Sequence, residues 1–169
     1  MSADPAKREK GAFMSAMLDR ADIAARIPHA GSMCLLDRVL AWSSEDIHCT
    51  ARSHADAGNP LRSASGLPSA SAIEYAAQAM AVHGALVAQG DEPPQPGFLA
   101  SVRSVELHVP RLDDIDGELQ VHARRLAGDA RQVMYEFELR AQDERLLARG
   151  RAVVVLNTPL APDAVPSNP

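Results

Sequence analysis

The stretch GLPSASAIEYAAQAMAVHGALVA (66–88) decides how this chain folds. Ala, Ile, Tyr, Met, Val and Leu fill most positions after Ser69, and no proline interrupts them. A helix over about 69–88 is therefore predicted, apolar on nearly every side and fit only for a buried setting. Its one polar stripe is Ser71, Glu74 and Gln78, three and four residues apart. At ~100° per residue these share one face within about 60°. Pro68 and Ser69 stand where a helix begins. The N–H groups of Ser69 and Ala70, at the positive end of the helix dipole, are candidates to polarise a carbonyl oxygen.

Working outward, CLLDRVLAW (34–42) is predicted as a strand. Ile47, Cys49 and Ala51 alternate with polar neighbours in a second strand. Between that strand and the helix, SHADAGNPLRSASG (53–66) has the Ser, Gly, Asn and Pro of a loop. Beyond the helix, DEPPQPG (91–97) is a turn, and four strands follow. They are Phe98–Val109, one around Leu119, Val121 and Ala123, one around Val133, Tyr135, Phe137 and Leu139, and Leu146–Leu156. Short turns between them favour antiparallel neighbours. The expected architecture is α+β, a sheet wrapped on one buried helix. Upstream, Phe13, Met14, Met17, Leu18, Ala21, Ala24 and Ala25 suggest a short amphipathic helix over 13–25, ended by Pro28. The division is then a 1–26 extension, a 27–157 domain and a Pro-rich tail over 158–169 with the composition of disorder.

The chain has 169 residues, enough for one domain, and 46% of them are hydrophobic, enough for a core. Seventeen Lys and Arg against 22 Asp and Glu give a net charge of -5, which argues against a general nucleic-acid binder. No run is long enough to span a bilayer, and the first residues lack an apolar signal core, so a cytoplasmic setting is expected. There Cys34 and Cys49 are expected as reduced core residues. No histidine pair has metal-ligand spacing, and no metal is expected. Nor is there a Gly-rich phosphate loop or a GxSxG elbow.

A carboxylate among apolar neighbours is costly unless it is paired or holds a proton. Glu74 is thus either a solvent-facing or structural residue, or a general acid with Gln78 to orient it or hold a water. Tyr75 and Met80 are expected in the core. His29, in the loop IPHAGSM, is placed to project a base. His54 lies in the polar loop before the helix. His83 is off the polar face and is expected to be structural or exposed, and His48, His108 and His122 to lie on the surface.

Three stretches together resemble the 3-hydroxyacyl-[acyl-carrier-protein] dehydratases of the hot-dog fold: IPHAGSMCLLDRV (27–39), GLPSASAIEYAAQAM (66–80) and PGFLASVRSVELHVPRLDD (96–114). Among these, the chain most resembles the divergent branch associated with aryl-polyene synthesis. The resemblance implies a curved antiparallel sheet around one long helix, usually paired as a dimer. It also implies an acyl thioester carried on the phosphopantetheine of acyl carrier protein or CoA, with no further cofactor. The implied reaction is dehydration to the trans-2-enoyl thioester, with Glu74 as acid, His29 as base and Gln78 assisting. Where that family carries the histidine of a His-Phe-Pro-Gly loop, this chain has Asn59 and Pro60, and Ser69 replaces the glycine at the helix start. His29 is the first candidate to supply the base and His54 the second, and Asn59 is left as a hydrogen-bonding contact for the thioester. A basic patch for an acidic carrier would draw on Arg62, Arg103, Arg111, Arg124 and Arg125. Two rivals follow from the missing loop histidine: a hot-dog thioesterase, and a non-catalytic partner in a heterodimeric dehydratase.

Overall fold

The computed structural model describes residues 17–88 and 97–156. It contains α1 (Arg20–Ala24), β1 (Arg38–Trp42), β2 (Asp46–Ala51), α2 (Ala72–Val87), β3 (Gly97–Leu107), β4 (Leu119–Gly128), β5 (Gln132–Arg140) and β6 (Leu146–Leu156). All six strands join one antiparallel sheet in the order β1-β2-β4-β5-β6-β3. The helix α2 lies across the face formed by β2, β4 and β5.

The alternation in the sequence explains which face is covered. Ile47 and Cys49 on β2, Val121 and Ala123 on β4, and Phe137 and Leu139 on β5 are buried together with Tyr75, Ala76, Ala79 and Val82 of α2. Burying each large apolar side chain contributes about 1.5–3 kcal/mol. The many alanines keep α2 thin enough for the sheet to close on it. Where β6 crosses β5, Gly150 leaves room for Phe137, since a Cβ there would lie 2.8 Å from the ring.

Several boundaries differ from expectation. The strand expected from Cys34 starts only at Arg38, because residues 31–33 form a 3-10 turn and side chains take both backbone groups of Leu35. A ladder cannot form where its donor and acceptor are already engaged. The long helix begins with a 3-10 turn at Ser69–Ser71 and becomes α-helical at Ala72. β4 runs to Gly128 past a register shift between Arg125 and Ala127, which breaks the alternation beyond Ala123.

Of the helix expected over 13–25, the described part is α1, started by the Asp19–Asp22 capping box. Ile23 on this helix is buried in the core, and Leu18 pairs with Val39 at the free edge of β1. The first sixteen residues, most of the 91–97 turn and the 158–169 tail lie outside the described residues. Cys34 and Cys49 are buried free thiols, and burial pushes Cys49 up to about 12. Among the described residues no helix is long and apolar enough to cross a membrane.

Candidate active site

His29, Glu74 and Gln78 meet where the segment before β1 crosses α2. His29 Nε2 lies 3.0 Å from Glu74 Oε1, with about three-tenths of each side chain exposed. Glu74 is therefore at the rim of the core and paired, rather than enclosed. His29 Nδ1 is turned inward and has no partner.

Gln78 is fully buried and commits its whole amide. Its Nε2 donates to Glu74 Oε1 at 3.0 Å and to the Met33 carbonyl at 2.7 Å, and its Oε1 accepts the Leu35 N–H at 2.9 Å. Both of its protons are used, so Gln78 orients the carboxylate and has no donor left for a water. The same side chain ties the His29-bearing segment to α2. A second tether is Arg20 on α1, which donates to the Gly31 carbonyl at 3.3 Å.

The other sequence candidates lie apart from this pair. His54 is fully buried, with Nε2 3.0 Å from the Ile115 carbonyl, and burial lowers its pKa. That bond makes Nε2 the protonated nitrogen. Asn59 is buried and donates to the Ser53 carbonyl and the Tyr75 hydroxyl, while its Oδ1 accepts the Leu61 N–H. Its amide thus ties the loop before α2 together. Ser71 precedes α2 as its cap residue but makes no side-chain capping bond.

At the helix start, the Ser69 N–H donates to the Pro110 carbonyl at 3.1 Å and the Ser71 N–H to Pro68 at 3.0 Å. Of the two amides expected to face a carbonyl, Ser69's is engaged, which leaves that of exposed Ala70. Pro110 lies three residues past the end of β3, so the sequence around the helix could not reveal this bond.

His83 is wholly buried, with Nδ1 2.9 Å from the Tyr135 hydroxyl and Nε2 2.9 Å from the Ser43 carbonyl. His48 and His122 are half-buried rather than surface residues. Their rings stack 4.0 Å apart on the sheet face away from α2. A groove of about 960 Å³ on that face also holds Asp46, Arg124, Glu136, Glu138, Arg149 and Arg151. Its cross-strand neighbours alternate in charge, as on a solvated sheet face. A smaller cavity of about 240 Å³, bordered by Arg20, Ser32, Asp37, Ser53 and Asn59, adjoins the His29-bearing segment. Arg62 and Arg111 both bind the buried carboxylate of Asp113, and the Arg111 guanidinium, helped by the Leu67 N–H, holds that carboxyl well below the usual carboxylate range. They are thus committed to a structural clasp at the helix-approach loop.

A curved antiparallel sheet closed on one central helix is the hot-dog fold, and here that helix carries Glu74 and Gln78 one turn apart. The chain belongs to the ApeP-like family of dehydratases, whose model, described as ApeP dehydratase, matches residues 21–163. It is similar to a chain of the dehydratase heterocomplex ApeI:P from Xenorhabdus doucetiae, with 25% identity, a TM-score of 0.71, and 81% of this chain and 91% of that one covered. A thioesterase family protein from Silicibacter pomeroyi shares the fold at 13% identity and a TM-score of 0.59, covering 81% of this chain and 94% of that one. Thioesterase HI1161 from Haemophilus influenzae does so at 12% and 0.55, covering 74% and 80%. No curated protein sequence matches significantly.

Proposed function

We propose that this chain removes water from a 3-hydroxyacyl thioester to give the trans-2-enoyl thioester, acting in the cytoplasm on a substrate carried by acyl carrier protein or CoA. The observation that carries the reading is the direct contact between His29 Nε2 and Glu74 Oε1 at 3.0 Å in a member of a dehydratase family.

The chemistry needs one base and one acid. The His29 imidazole takes the α-proton while the carboxyl of Glu74 gives a proton to the 3-hydroxyl. The C–O bond breaks, the double bond forms, and water leaves. Charge that builds on the thioester oxygen is met by the Ala70 N–H at the helix start. The site is then left as imidazolium and carboxylate. Their contact returns the proton from Nε2 to Oε1 and restores the starting state without help from solvent. Gln78 holds the carboxylate in place through both events.

The absence of the family's loop histidine at Asn59 and Pro60 favours one second reading, a hydrolase in which the same pair activates water against the thioester carbonyl. Incubation with a 3-hydroxyacyl thioester separates the two. Enoyl absorbance without free thiol supports dehydration, and free thiol without enoyl product overturns it.

The chain is also proposed to work paired with a second hot-dog subunit. Residues around Leu18 cover the edge of β1, whereas the outer edge of the eleven-residue β3 has no strand beside it among the described residues. Phe98, Leu99 and Leu107 on β3 are each at least 40% exposed. A long apolar edge of this kind invites pairing with another chain. The aryl-polyene setting suggested by the sequence belongs to this same proposal.

A further inference from the structure

We propose that Tyr75 is a positioning residue that sets the distance between His29 and Glu74 without touching the substrate. The inference rests on the dehydration reading for its kinetic consequence and on geometry for the rest.

Tyr75 follows Glu74 in sequence but lies about 100° around the helix and is fully buried, so it cannot reach a ligand. Its hydroxyl is 2.8 Å from Ser53 Oγ and receives the Asn59 Nδ2 proton at 3.1 Å. Ser53 Oγ donates to the Leu35 carbonyl at 2.8 Å. One proton per hydroxyl leaves a single consistent direction. Asn59 donates to Tyr75, Tyr75 to Ser53, and Ser53 to Leu35. The relay ends on the peptide oxygen of Leu35, whose N–H is held by Gln78.

Leu35 is thus gripped at both of its backbone groups by residues one turn apart on the same helix face. Gln78 holds its N–H and the Met33 carbonyl, and Tyr75, through Ser53, holds its own carbonyl. His29 sits six residues upstream on this anchored segment, with its Nδ1 unbonded and its Nε2 on Glu74. No other protein hydrogen bond fixes the His29 ring among the described residues. Its placement therefore depends on where the backbone is held, which is by Arg20 at the Gly31 carbonyl and by the two grips at Met33 and Leu35. Releasing the Leu35 carbonyl lets the segment drift, and small drifts between reacting groups are costly in rate.

The test compares wild type with Tyr75→Phe and Ser53→Ala, each removing only a hydroxyl. Two quantities are read. The first is the kcat and KM of the dehydration. The second is the NMR chemical shift of the His29 ring at a single pH, identified by the signal missing in His29→Ala, measured with and without Glu74→Gln. The expected result is a kcat lowered about tenfold or more with KM kept within about twofold. Glu74→Gln should also move the His29 ring signal less in either variant background than in wild type. A His29–Glu74 coupling equal to wild type in both folded variants overturns the proposal, whatever the rates do. If wild type itself turns over no hydroxyacyl thioester, the reaction assignment fails and the ring signal alone decides the positioning role. Should Tyr75→Phe fail to fold, Ser53→Ala carries the same comparison.

Discussion

Glu74 Oε1 is shared by two neighbours, His29 Nε2 and Gln78 Nε2, each at 3.0 Å. The Gln78 proton is fixed, because its amide is bound at the Met33 and Leu35 backbone as well. Only the proton between His29 and Glu74 is free to move. The pair is partly exposed, and such pairs add only about 0–1 kcal/mol to stability. Glu74→Gln and His29→Ala should therefore lower turnover by about a hundredfold to ten-thousandfold and leave the thermal midpoint nearly unchanged. Paired kinetics and melting curves check this. Full turnover in either variant would remove that residue from the mechanism.

Asn59 should matter to the fold rather than to the chemistry. Asn59→Ala would strip partners from the Ser53 carbonyl, the Tyr75 hydroxyl and the Leu61 N–H. Buried groups left in this way cost about 1–3 kcal/mol. Denaturant unfolding should show a loss of that size, and an unchanged midpoint would mean that water replaces the amide at no cost.

Stability should fall in mild acid. Burial lowers His54, His83 and His122, the last from 6.5 to about 4 with added repulsion from His48. Each folded-state value lies below the unfolded one, so the unfolded chain binds protons that the folded chain refuses. The contribution is whole above about pH 6.5 and is lost as the pH falls through the folded values. Thermal midpoints at about pH 7.5 and about pH 5 should differ by several degrees, with a shallower slope in His122→Gln. Equal midpoints at the two pH values would contradict it.

How much of this was legible in the sequence depends on where each partner comes from. The helix was legible because its alanines and the Glu74–Gln78 spacing are local. β5 was legible because Val133, Tyr135, Phe137 and Leu139 alternate cleanly. The segment 34–37 misled because it is apolar like a strand, while its hydrogen bonds go to Gln78 and Ser53, far away in the chain. The relay through Tyr75 carried no sequence signal, since a tyrosine on an apolar helix looks like ordinary core. The bond of the Ser69 amide carried none either, because its acceptor, the Pro110 carbonyl, is remote in the chain. The absence of a histidine at Asn59 was visible, but the bonds that replaced it were not.

The β3 edge should set the assembly state. Leu99→Lys places a charge on the exposed apolar edge, a change that blocks edge-to-edge pairing. Light scattering should find wild type paired, with itself or with a second hot-dog subunit, and the variant shifted toward the single chain. An identical mass for both proteins would place the interface elsewhere.

The most direct test of the central claim is the mass of a carrier-bound 3-hydroxyacyl thioester after incubation with the protein and, where needed, its partner subunit. Wild type should remove the mass of one water from the acyl group and keep the thioester intact, whereas Glu74→Gln should leave the substrate unchanged. An unaltered mass with wild type, or loss of the whole acyl group, would contradict dehydration by the His29–Glu74 pair.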